Sequence, residues 1–227
     1  PYSSICMEVS VKSLRIEDIK DEALILPVFS DSNSGKCFSH ANDKSENLVN
    51  KIIKAEDFKA ELSKLYHFFF TDKIKKVILV GLGKESEFNH EKFRKALGNA
   101  VRYAKSLKLK SFSLALDNLS FKDEELGELL SEVLHLSNYK FNEFKTNEKD
   151  KNHAVQSVTL LYYGKNINSL NKGLENGKII SESVIIARDL VNTPASIKIP
   201  TYIASKARDM CKKININCKI FYKKEIK

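Results

Sequence analysis

The chain has 227 residues, 42% of them apolar and 30% charged, with a formal net charge of +9. That supply of apolar side chains can build one large domain or two modest ones. The longest apolar runs, ALILPVF (23–29) and VILVGL (77–82), have strand length and fall far short of the roughly 18 consecutive apolar residues that a membrane-spanning helix requires.

The charge is unevenly placed: residues 1–70 sum to −2, residues 71–150 to +2 and residues 151–227 to +9, with 8 basic and 2 acidic groups in 206–227 alone. A surplus confined to one end is the pattern expected if acidic compensation lies in further chain. The competing reading is a basic nucleic-acid-binding tail, which the interleaved apolar residues disfavour. The opening PYSSICMEVS has neither a basic nor an apolar signal region, and position 1 is not Met. Cys6, Cys37, Cys211 and Cys218 lack regular spacing and read as reduced thiols, so a cytoplasmic location is expected.

In chain order, EVSVKSL (8–14) alternates as a strand does, and ALILPVF reads as a buried strand in which Pro27 marks a bulge or an end. The Ser-, Asn- and Asp-rich stretch 30–50 reads as an exposed loop, followed by a helix near 48–58. TDKIK is a predicted turn, and KVILVGLG is the clearest central strand. NHEKFRKALGNAVRYAKSLK predicts a helix capped by Asn89, with Phe93, Leu97, Val101, Ala104 and Leu107 (or Ala100 and Ala104) on one stripe. SFSLAL is the next strand, DEELGELLSEVLHLSNY a helix with acidic residues in its first turn, and VQSVTLLYYG a strand. Alternating strands and helices predict an α/β domain whose sheet is mixed and largely parallel, flanked by helices.

From Asn168 a long helix is predicted to about Asn192, apolar on two faces and therefore enclosed on both sides, with Gly173 and Gly177 permitting close backbone approach. Pro194 ends it at or before Thr193. Pro200 restarts a helix, TYIASKARDMCKKI, and NCKIFY reads as a strand. Arg188 and Asp189 interrupt the apolar surface and are expected to be paired or capped, Arg188 near the negative helix end.

The chemical motifs fail one by one. NHEKFR has the His-Glu pair of a zinc-protease helix, but Arg94 occupies the place of the second histidine. Gly81 and Gly83 follow a strand as in a dinucleotide fingerprint, yet Ser86 stands where the third glycine belongs. The five histidines are scattered, Cys211 and Cys218 have no histidine nearby, and no nucleophile elbow or Walker loop occurs. Tyr162, Tyr163 and Phe68 to Phe70 read as core side chains.

Three segments nevertheless carry a family resemblance: VILVGLGKESEFNHEKFRKALGNAV, YKFNEFKT and, most specifically, GLENGKIISESVIIARDLVNTPASIKIPTYIASKA. They resemble the leucyl aminopeptidases, or cytosol aminopeptidases, and the motif positions involved are Gly81, Gly83, Arg188, Asp189, Asn192 and Pro194. The resemblance implies an N-terminal macro-like α/β domain (1–166), an interdomain helix and Pro-bounded linker (167–196) and the start of a C-terminal catalytic domain (197–227). It also implies a homo-oligomeric, hexameric exopeptidase that acts on peptides with two divalent metals, zinc, manganese or magnesium. The family's motifs resembling Gly-Lys-Gly-x-x-Phe-Asp-x-Gly-Gly and Asn-Thr-Asp-Ala-Glu-Gly-Arg do not occur. No catalytic, metal or cofactor residue is therefore assigned, and the segment is expected to be inactive alone. The alternative is a free-standing macro-like module holding a nucleotide or ADP-ribose near Gly81 to Lys84.

Overall fold

The computed structural model describes residues 7–32, 35–55, 58–69, 76–116, 119–146, 153–164 and 166–226. The chain divides into two compact units, Pro1–Ser183 and Val184–Lys227. The predicted turn TDKIK lies outside the described residues.

The first unit is built on six strands: β1 (Glu8–Lys12), β2 (Ala23–Val28), β3 (Leu65–Phe68), β4 (Lys76–Gly81), β5 (Ser111–Ala115) and β6 (Ser157–Leu161). They form one sheet in the order β1–β6–β5–β2–β4–β3. Every neighbouring pair is parallel except β3 with β4, so the sheet is mixed and largely parallel, as the alternating elements predict. Both faces are covered, and the alternation along each strand divides the core in two. Ala23, Ile25, Ile78, Val80, Phe112, Leu114, Val158 and Leu160 face one cluster, with the apolar stripes of α3 (His90–Ser106) and α4 (Asp123–Asn138). Leu24, Leu26, Val28, Val77, Leu79, Ala115 and Leu161 face the other, with α1 (Lys36–Lys44) and α2 (Leu48–Lys54).

Helix α3 starts as predicted, the Asn89 side chain accepting from the Lys92 N–H at 3.0 Å. Of its predicted stripe, Phe93, Leu97, Val101 and Ala104 are buried, whereas Leu107 follows the helix as its C-cap and is only partly buried against the core. Pro27 does not end β2, which continues to Val28 beside β4. What stops short is the ladder to β5, paired only through Leu24 and Ile25, consistent with a proline that has no N–H to give.

The stretch 30–50 is not simply an exposed loop. Residues 36–44 form α1, which buries Cys37, Phe38, Ala41 and Asn42. Asn42 organises the following turn, donating to Asn47 Oδ1 at 2.6 Å and accepting from the Asn50 N–H at 3.0 Å.

Helix α5 runs Ile167–Asn192. Within the first unit, its buried residues are Leu170, Gly173, Gly177 and Ser181, while Ile179 is 65% exposed. Among the described residues of the first unit, the glycine face is buried while Ile179 and Ile180 (41%) are exposed, so the expected enclosure on two sides is not seen there.

In the second unit, α5 ends as predicted at Asn192, where both the Thr193 N–H (2.9 Å) and hydroxyl (2.7 Å) donate to the Asp189 carbonyl. Helix α6 (Pro200–Lys213) begins with its proline in the first turn, which needs no N–H there. The strand expected at NCKIFY does not form: residues 214–226 are irregular, and the second unit has no strand among the described residues with which to form a ladder.

Candidate functional site

The glycine turn after β4 was the one place where sequence spacing allowed a phosphate cradle, which needs free backbone N–H groups. Here those donors are used inside the protein. Gly81 N–H donates to the Lys64 carbonyl at 2.9 Å, Leu82 N–H to Val28 at 2.9 Å and Gly83 N–H to Ala60 at 3.0 Å. Two residues after Gly83, the Glu85 N–H is held by the Asp31 carboxylate at 3.0 Å. Gly81 is required because a Cβ there would overlap the Ala60 and Glu61 backbone, and Gly83 because its φ is +76°. Both glycines thus serve a backbone crossing between β4 and residues 60–64. An open cleft of about 440 Å³ lies nearby, lined by Ser30, Asp31, Ser32, Asn50, Ile53, Lys54 and Lys59, but neither glycine nor Lys84 contributes to it. The nucleotide-module alternative therefore loses its proposed contact points.

The histidines sit apart and do not converge. His67 Nδ1 meets the Tyr103 hydroxyl at 2.6 Å, His90 meets Glu125 at 2.8 Å, His153 meets the Leu109 carbonyl at 2.9 Å and His40 lies 3.6 Å from Glu17. His135 faces the Ser131 carbonyl at 2.8 Å, and its burial lowers its pKa. In NHEKFR, Arg94 reaches across to α4 and holds Glu132 through Nε (3.3 Å) and Nη2 (3.1 Å), a structural tie between helices. Among the described residues no group of three His, Cys, Asp or Glu side chains converges as a metal site would require. Tyr162 is buried, and Tyr163 donates its hydroxyl to the Leu14 carbonyl. Phe68 packs on the core, whereas Phe69 is 74% exposed, and Phe70 lies outside the described residues.

The most constrained contact in the first unit is between α4 and α5. A Cβ on Gly173 would overlap the Glu124 carbonyl, one on Gly177 the Glu128 carbonyl, and one on Gly127 the Leu170 carbonyl. Three glycines on two helices thus bring backbone against backbone. The sequence reading identified Gly173 and Gly177 but missed Gly127, whose signal was a glycine placed among the leucines of an otherwise strong helix. It also missed Asn138, which closes α4 onto the start of β6 by donating to the Val155 carbonyl (2.8 Å) and accepting from the Val155 N–H (2.9 Å).

The remaining motif positions lie in the second unit, around the end of α5. Arg188 is exposed, Asp189 is half-buried with its carbonyl bound by Thr193, Asn192 is the last helical residue and Pro194 follows the stop. They form a helix terminus.

Comparison with known proteins gives this scaffold its relatives. Residues 25–148 match the family described as "Cytosol aminopeptidase family, N-terminal domain". The chain is 32% identical over 213 residues to a probable cytosol aminopeptidase of Clostridium perfringens, covering 90% of this chain and 41% of the relative. It is 27% identical over 226 residues to one of Alkaliphilus oremlandii, covering 97% of this chain and 45% of the relative. The chain therefore spans less than half the length of these curated relatives. Among solved structures, a tomato leucine aminopeptidase variant superposes with a TM-score of 0.73 at 19% identity, over 92% of this chain and 43% of that one. The bottromycin maturation enzyme BotP superposes with a TM-score of 0.70 at 17% identity, over 91% and 40%. The scaffold, its glycine crossings and the match across residues 25–148 lead to one conclusion: the chain belongs to the cytosol aminopeptidase family and carries that family's N-terminal domain.

Proposed function

We propose that these 227 residues are the N-terminal portion of a metal-dependent leucyl-type aminopeptidase that removes N-terminal amino acids from peptides in the cytoplasm. The observation that carries this reading is the family match over residues 25–148, continued by an alignment covering 90% of the chain to a probable cytosol aminopeptidase. In this reading the first unit is scaffold. It shapes contacts in a homo-oligomer, a hexamer in the complete enzyme, and limits access to the active site.

Two divalent cations would supply Lewis-acid chemistry to such an enzyme. The described residues do not fit them, since no three-donor cluster is present, so no hydrolytic step is assigned to any side chain of this chain. Apolar side chains of the second unit, including Ile214 (64% exposed) and Ile216 (58%), are suited to packing against further catalytic-domain structure.

The test is to express the reading frame through its natural stop codon and assay leucyl-p-nitroanilide with manganese or zinc. Hydrolysis abolished by a chelator is expected. A full-length product that is folded and metal-loaded yet inactive on aminoacyl anilides and peptides would overturn the assignment.

A further inference from the structure

Successive turns of α4 meet successive turns of α5. A Cβ on Gly173 would strike the Glu124 carbonyl, and one on Gly177 would strike both the Glu128 carbonyl and the Ser131 Cβ, so the two helices run side by side in the same direction. One further turn along each brings His135 opposite Ser181, which is buried and donates its hydroxyl to the Gly177 carbonyl at 2.7 Å. His135 Nδ1 lies 2.8 Å from the Ser131 carbonyl, and a carbonyl only accepts, so this nitrogen carries the hydrogen of the neutral ring. The other nitrogen, Nε2, is then a bare acceptor. It is buried and has no hydrogen-bond partner among the described residues. The charged groups that act on the ring from α5 are Lys178 and Glu182, which pair with each other at 4.0 Å. On α4 itself, Glu132 and Glu128 lie one and two turns back, and Glu132 is held by Arg94 of α3 at 3.1 Å.

We propose that His135 is an acid-sensitive latch: protonation of its ring releases residues 177–183 of α5 from α4 while the sheet and its other helices stay folded. The added proton goes to Nε2 and turns a buried acceptor into a buried, charged donor with no acceptor facing it. Turning the ring to serve Nε2 would take Nδ1–H away from the Ser131 carbonyl, so one donor stays unmet in the closed pair. Water reaches the new N–H when α5 draws back, because the atoms packed against Gly177 are the Glu128 backbone and Ser131 Cβ, which cannot swing aside. Little opposes that movement. Beyond Leu170, the buried residues of α5 in the first unit are Gly173, Gly177 and Ser181, whereas Ile179 and Ile180 are already exposed, so opening uncovers little apolar surface. Burial holds the His135 pKa below its ordinary 6.5: the closed pair resists the proton, the opened pair accepts it, and opening therefore grows as pH falls through 6.5.

The test is amide hydrogen exchange of the 227-residue chain, corrected for the intrinsic pH dependence of exchange. Because one proton is taken up on opening, the opening constant of residues 177–183 should rise by up to about tenfold between pH ~7.5 and pH ~5.5. The amides of β4 should remain at least about tenfold more protected at both values, which separates local release from global unfolding. His135→Gln keeps a side-chain donor for the Ser131 carbonyl but does not titrate, and should hold the rise to less than about twofold. A second readout needs no variant: in the wild-type chain with labelled histidine, the His135 ring resonances should titrate below 6.5 with the same midpoint as the amide shifts of residues 177–183. Exchange in 177–183 that is indifferent to pH would overturn the proposal. So would a rise that survives in His135→Gln, or titration of the ring with no response in α5.

Discussion

Gly173 on α5 lies so close to Glu124 on α4 that a Cβ added to it would overlap the Glu124 carbonyl oxygen. On an exposed helix surface, replacing glycine by alanine stabilises by about 1 kcal/mol. At this crossing the sign reverses, because the obstructing atoms are backbone and cannot swing aside. Gly173→Ala should destabilise the chain by about 2–3 kcal/mol in urea unfolding. Since Gly127 and Gly173 relieve the same approach, the double alanine variant should cost clearly less than the sum of the two. Neutral single variants would show that the helices separate at little cost.

Asn138 substitutes for ladder pairing where β6 begins, satisfying both polar backbone groups of Val155. Asn138→Ala strips a buried N–H and C=O of their partners and should cost about 2 kcal/mol. Asn138→Asp retains the acceptor and loses the donor, so its thermal midpoint should fall between those of alanine and wild type if the paired contact matters.

Two groups give opposite ends of the pH profile. Burial holds His135 below its ordinary 6.5, so the folded state resists protonation that the unfolded chain accepts. Stability should therefore fall as pH drops from 6.5, and His135→Gln should flatten that limb. Lys105 donates to the Ser137 carbonyl at 2.7 Å. Burial, then the nearby Lys140 and Arg102 charges, lower its pKa from 10.5 to about 8. The folded state binds fewer protons than the unfolded one between these values, so Lys105 charge disfavours folding below pH 8 and that penalty fades as pH rises toward 10.5. Wild type should gain stability relative to Lys105→Met across this window in urea titrations.

The sheet was legible because its strands carry unbroken apolar runs and its helices carry stripes with conventional caps, Asn89 foremost. Helix α1 was not: KCFSHANDK buries only four residues, and its Ser, Asn and Asp content matches that of a loop. The two-faced apolarity of α5 predicted burial on both sides, but Ile179 is exposed: periodicity reports which residues are apolar, not whether a neighbour covers them. NCKIFY has strand composition, yet a strand exists only as part of a ladder. Gly81 and Gly83 illustrate the limit for the candidate site. The same spacing suits a phosphate loop or a backbone crossing, and only the hydrogen bonds to Lys64 and Ala60 distinguish them.

The proposed role of these residues as the non-catalytic N-terminal part of an aminopeptidase makes a direct prediction. It is tested most directly by purifying the 227-residue chain, adding manganese or zinc, and following leucyl-p-nitroanilide hydrolysis with and without a chelator. The account predicts no turnover above the metal-only blank. Chelator-sensitive release of p-nitroaniline by this chain would contradict it.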